Sequence, residues 1–119
     1  MTAIKESSTN QENKQLIMNY CPVTFTIGKI GGRWKPLILY NLQSGMQRYG
    51  QLKKLIPGIT EKMLVQHLRE LEADNLVQRV VKPVVPPHVE YSLTTSGQSL
   101  APLLHEMAEW GLSQREAVV

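Results

Sequence analysis

Apolar residues recur along this chain at two different periods, and the change from one to the other divides it. Val23, Ile27 and Ile30 repeat at i, i+4, i+7, the spacing that gives a helix one buried face. Pro22 suits the first position of that helix, where its missing N–H would be unpaired anyway, and Gly31-Gly32 stops it. A second helix is predicted from about Trp34 to Leu42, with Pro36 in its first turn and Gly45 beyond its end. A third covers roughly Tyr49 to Ile56, burying Leu52, Leu55 and Ile56 and turning Lys53 and Lys54 outward. Pro57-Gly58 makes a tight turn. Thr60 is then a suitable N-cap for a helix to about Asp74 with Leu64, Leu68 and Leu71 as its buried stripe. Two short helices joined by a glycine-containing turn make a helix-turn-helix pattern.

Beyond Asp74 the period falls to two. Leu76 to Lys82 is rich in valine, and Val89, Tyr91 and Leu93 alternate with Glu90 and Ser92, so both runs read as strands. Pro83-Val84-Val85-Pro86-Pro87 between them cannot sit inside a sheet and reads as a stiff projecting loop. A hairpin directly after the second helix of such a pair is a wing. Thr94 or Thr95 caps a last helix reaching about Arg115. Leu100, Leu103, Leu104, Met107 and Gly111 line one side of it, while Pro102 inside it is expected to kink it. The fold expected is α+β, mainly α: a winged helix-turn-helix with extra N- and C-terminal dimerisation helices.

At 119 residues, 42% of them hydrophobic, there is room for one domain with a modest core that a dimer interface would supplement. Residues 1–14 are polar and read as a flexible arm, and 15–116 as the folded domain. No stretch approaches the roughly 18 apolar residues that a membrane span requires, and the N-terminus lacks the apolar core of a secretory signal. A cytoplasmic protein is expected. The formal charge of +3 is small, but its distribution is not even. From Lys29 to Arg69 there are eight basic side chains against the single acid Glu61, and seven acids follow from Glu70 onward. Such a split points to one face turned toward a polyanion.

The outward stripe of the Thr60 helix is the strongest functional feature. Lys62, Gln66 and Arg69 carry the forked or amide ends that read base edges in a major groove, and Val65 suits a thymine methyl. Lys35, Arg48, Lys53 and Lys54 are candidates for phosphate contacts, which position a protein without reading sequence. Arg79, Lys82 and His88 lie on or beside the wing, within reach of a neighbouring groove or backbone. Leu100, Leu103, Leu104, Met107, Trp110 and Gly111 on the last helix, with Leu16 and Ile17 near the start, are candidates for pairing with a second copy. The lone Cys21 precedes Pro22 at a helix start, where the free amides and the dipole favour a thiolate that oxidants and electrophiles attack; a small buried hydrophobe is the alternative. His67, His88 and His105 lie apart with no second ligand at metal spacing, and no catalytic constellation or phosphate loop is present. Neither enzymatic activity nor a metal or cofactor is expected.

The chain resembles the HxlR-type winged-helix regulators, relatives of the MarR group. The likeness runs from Cys21-Pro22-Val23 through Gly31-Gly32-Arg33-Trp34-Lys35, Leu37-Ile38-Leu39, Arg48-Tyr49-Gly50-Gln51-Leu52 and Ile56-Pro57-Gly58-Ile59-Thr60. It continues through Lys62-Met63-Leu64, Leu68-Arg69-Glu70-Leu71-Glu72 and Pro86-Pro87-His88-Val89-Glu90-Tyr91-Ser92-Leu93-Thr94 to Gly97 and Trp110. The resemblance implies a homodimer on double-stranded DNA, acting as a repressor at a pseudo-palindromic operator, with the Thr60 helix in the major groove and the wing alongside. It also implies sensing of a small electrophile or oxidant through a cysteine near Cys21. Some members pair that cysteine with a second one, which this chain lacks, so any disulfide would join Cys21 to the partner's Cys21 or to a small thiol. A winged helix serving as a protein–protein module is the alternative reading.

Overall fold

The computed structural model describes residues 21–118, with side chains through 116. The arm predicted over 1–14 and the pairing residues Leu16 and Ile17 lie outside the described residues. The chain divides between Gly32 and Arg33 into two compact units. In the first, α1 spans Pro22–Ile30 behind Cys21, whose carbonyl accepts from Phe25 N at 2.9 Å. Its apolar stripe is not one buried face: Ile30 is buried, but Val23 is 69% and Ile27 56% exposed. Periodicity says which side of a helix is apolar and nothing about what covers it.

The second unit is built from α2 (Lys35–Leu42), β1 (Gln47–Arg48), α3 (Tyr49–Leu55), α4 (Glu61–Ala73), β2 (Val77–Lys82), β3 (His88–Leu93), α5 (Thr95–Gln98) and α6 (Ala101–Val118). Its core is centred on Ile38 and Leu39 of α2, Leu52 of α3 and Leu64, Leu68 and Leu71 of α4, each 1% exposed or less. No polar or charged residue is buried among the described residues. Leu55 departs from expectation at 48% exposed. It falls at the end of a seven-residue helix, and Ile56, already outside that helix, fills the core position instead.

Local chemistry sets the ends of α4. Thr60 Oγ1 accepts from Met63 N at 3.2 Å, the expected N-cap. At the other end Asn75 takes φ 58°, its N–H reaches Glu72 O and Leu76 N reaches Leu71 O. That is a Schellman motif with asparagine in the left-handed position, and it aims the chain directly into β2. The sheet has three antiparallel strands in the order β1-β3-β2, with Val77 opposite Leu93 and Lys82 opposite His88 in the hairpin. The two-residue β1 adds Gln47 opposite Tyr91 and Arg48 opposite Glu90. This is the winged helix-turn-helix architecture expected, with a third strand that the sequence did not announce.

The single long C-terminal helix is corrected. Thr94 caps the short α5 by accepting from Gly97 N at 3.0 Å, the chain turns at Ser99 and Leu100, and α6 begins afresh. Pro102 is therefore the second residue of a helix rather than an interior one. The first four N–H groups of a helix have no internal acceptor, so proline costs nothing there. Nor do the apolar residues of α6 form one covered side: Leu104 is buried, whereas Leu103, Met107 and Trp110 are exposed. Among the described residues no helix is long and apolar enough to cross a membrane.

Candidate nucleic-acid interface

Burial decides which side of α4 faces outward. Each of Leu64, Leu68 and Leu71 gains about 1.5–3 kcal/mol from burial, several times what the Thr60 cap contributes at about 1 kcal/mol. Together they turn Glu61, Lys62, Gln66 and Arg69 to solvent, with Val65 half-buried between them. Gly58, at φ +85°, makes the turn from α3, a conformation that residues with a Cβ rarely adopt. The outward face is concave, a hollow of about 580 Å³ bordered by Tyr49, Lys62, Val65, Gln66, Arg69 and Glu70.

Tyr49 was not among the residues singled out from the sequence. It opens α3, and only the packing of α3 against its neighbours brings it to this hollow. Burial, reinforced by the Glu61 charge, pushes its phenol above the ordinary tyrosine value, so it stays a neutral donor. An aromatic residue at the first position of the first helix of such a pair is the one signal that was available.

A second cleft of about 580 Å³ lies between α3 and the wing. It brings Arg48 and Lys54 together with His88, which is far from them in sequence. Gln51 Oε1 accepts from Arg48 N at 2.8 Å and secures the start of α3 at the cleft's edge. Lys53 is half-buried and does not line this cleft, whereas Lys54 does. On the wing the charges are partly matched: His88 Nε2 lies 2.8 Å from Glu90 Oε2, and Lys82 Nζ lies 3.9 Å from Glu90 Oε1. Arg79 is exposed on β2.

Lys35 stands differently from the other cations. Its Nζ lies 2.9 Å from Glu70 Oε2 and its side chain is 12% exposed, so it ties α2 to α4. The bond from Lys35, and next that from the Gln66 amide, hold the Glu70 carboxyl below the usual carboxylate range. Away from the basic face, α2 and α6 border an apolar groove of about 520 Å³ that includes Leu37, Tyr40, Leu104, Met107 and Gly111. Leu103 and Trp110 lie about 100° farther round α6 than the Leu104 side that borders the groove. In the first unit, Cys21 occupies the N-cap of α1 without a capping bond. The hydroxyl and then the amide of Thr24 draw its thiol below the ordinary value.

A model of the HxlR-like helix-turn-helix family matches residues 29–118. Over 98 residues the chain is 47% identical to the HTH-type transcriptional regulator YybR of Bacillus subtilis, covering 82% of this chain and 78% of that protein. It is 53% identical over 91 residues to the HTH-type transcriptional regulator YkvN of Bacillus subtilis, covering 76% and 77%. Among solved structures, the redox regulator HypR in its reduced form superposes with a TM-score of 0.78 at 46% identity, over 82% of this chain and 97% of that one. The oxidized form of HypR gives 0.75 at 48% identity, over 78% and 96%.

Proposed function

This chain belongs to the HxlR-like helix-turn-helix family, and from that premise we propose that it is a homodimeric repressor reading a pseudo-palindromic operator through α4. As a helix-turn-helix transcriptional regulator its partner is DNA, and its relatives carry names of regulators rather than enzymes. One observation supports the finer reading above all others. The second helix of the pair turns Lys62, Gln66 and Arg69 outward over a leucine face, and a hairpin follows it directly. Those side chains, with Val65 for a methyl group, are the readers. Arg48, Lys54 and His88 in the wing cleft are phosphate contacts, and Thr60, Lys53, Arg79 and Lys82 add to them. Lys35 serves the interface through Glu70.

Dimerisation belongs to the apolar residues that the single chain leaves open, Leu103, Met107 and Trp110 on α6, with Leu100, Leu104 and Gly111 beneath. The protein works in the cytoplasm. Cys21 is the redox sensor, a reading supported by its lowered thiol pKa and by redox regulators among the similar structures. The test is a titration of purified protein onto its own upstream DNA, with and without a thiol oxidant. The expected result is tight binding lost on oxidation and on raising salt. Binding that is weak, insensitive to salt and equal for all sequences overturns the proposal in favour of a protein–protein module.

A further inference from the structure

We propose that Glu70 is a positioning residue for base reading, holding the Gln66 amide so that one fixed edge of it meets the major groove. The inference rests on α4 being the reading helix. Gln66 Nε2 donates to Glu70 Oε1 at 3.3 Å, one turn along the same face. The second oxygen of Glu70 is held by Lys35 Nζ at 2.9 Å, and His67 Nδ1 lies 3.7 Å away. The carboxylate is thus anchored from α2 by a lysine only 12% exposed.

An ionised carboxylate accepts hydrogen bonds and cannot donate them. Only the NH₂ end of Gln66 can therefore face Glu70, which directs Oε1 and the remaining N–H elsewhere. Adenine in the major groove presents an acceptor and a donor in fixed order, and an amide reads it only when its own donor and acceptor are in the matching order. A free glutamine flips between two orders, and the tether keeps one. The lowered pKa of Glu70 keeps it charged, and so purely an acceptor, at neutral pH. A bystander acid beside DNA has the opposite signature, because it merely repels phosphate.

The test uses the full chain and duplexes that it enriches from a randomised pool, each base pair then replaced in turn, with affinity read by fluorescence anisotropy. Glu70→Ala is expected to lose about tenfold in discrimination, a difference of about 1.4 kcal/mol, at the same base pair where Gln66→Ala loses it. Its affinity for random duplex should be equal or higher, since an acid has left the face. Glu70→Gln offers a donor as well as an acceptor, and Lys35 would hold its oxygen, so it no longer fixes which end of Gln66 faces it and should lose discrimination as Glu70→Ala does. The double variant Gln66→Ala, Glu70→Ala should discriminate no worse than Gln66→Ala alone. Should melting show Glu70→Ala unfolded at the assay temperature, Glu70→Met takes its place under the same readings.

Wild-type discrimination in Glu70→Ala or in Glu70→Gln overturns the inference and leaves α4 as the reading helix. Wild-type discrimination in Gln66→Ala overturns it as well. A chain that enriches no sequence from the pool overturns the proposed function itself and this inference with it.

Discussion

Lys35 Nζ and Glu70 Oε2 meet at 2.9 Å across two helices, and the lysine side chain is only 12% exposed. The pair braces α2 against α4. The Glu70 side chain is 41% exposed, so solvent screening holds the worth of the pair to about 1 kcal/mol or less.

That brace predicts a pH dependence. An unperturbed glutamate titrates near pH 4.3, to order of magnitude, and Lys35 first, then Gln66, hold Glu70 lower in the fold. A carboxyl with a depressed folded pKa contributes stability that is full above the unfolded value and is lost as pH falls through the folded one. Urea midpoints of the native chain should fall more steeply below about pH 4.3 than those of Lys35→Met. Parallel slopes for the two proteins would show that the pair has no energetic effect.

Dimeric binding is the second prediction. Half-sites should lie about 34 Å apart, one turn of duplex, because each protomer offers one reading helix. Sedimentation at micromolar protein should give a dimer, and Trp110→Glu on the exposed side of α6 should shift it toward monomer. A native monomer that still binds one half-site tightly would sink the two-fold arrangement.

Readers and anchors should separate. Gln66→Ala and Arg69→Ala should each weaken specific binding by about 1–3 kcal/mol and leave random-sequence binding nearly intact. Lys54→Ala, in the wing cleft, should lower affinity for every sequence and reduce the salt slope by about 0.9. Identical behaviour of the two kinds of variant on enriched and random DNA would refute the division.

Cys21 should alkylate with a midpoint below about pH 8.5, the free-cysteine value, because Thr24 favours the thiolate. An oxidant should release the native chain from DNA. The Cys21→Ser protein should bind normally and ignore the oxidant. A midpoint above the free value, or an equally sensitive serine variant, leaves Cys21 as a packing residue.

Gly97→Ala should destabilise the second unit by about 1–3 kcal/mol in urea unfolding, as overpacking does. A Cβ there would run into the Leu76 carbonyl, which Thr94 N already uses, and would approach Leu93 Cδ2 at 3.2 Å. Ser96→Ala, one residue earlier and exposed, should stay within about 0.5 kcal/mol of the native chain. Equal midpoints for both variants would mean that the close approach relaxes freely.

Helix spans, the Thr60 cap, the glycine turn and the hairpin of the wing were legible from the sequence because their causes are local. A cap bonds three residues on, a stripe repeats within two turns, and a proline acts on its own nitrogen. Such signals also identified Lys62, Gln66 and Arg69, since Leu64, Leu68 and Leu71 leave them only one direction to face. Tertiary structure decided what depended on distant neighbours. The strand Gln47–Arg48 exists because β3 offers it an edge, and two residues carry no period of their own. The break before α6 follows from Gly97 lying against Leu76, twenty-one positions back, a contact that no window of helical period spans. Leu55 is exposed, Tyr49 borders the hollow on α4 and Lys35 finds Glu70 for the same reason. Propensity and periodicity describe one element at a time, and these outcomes were set by which element lay across from another.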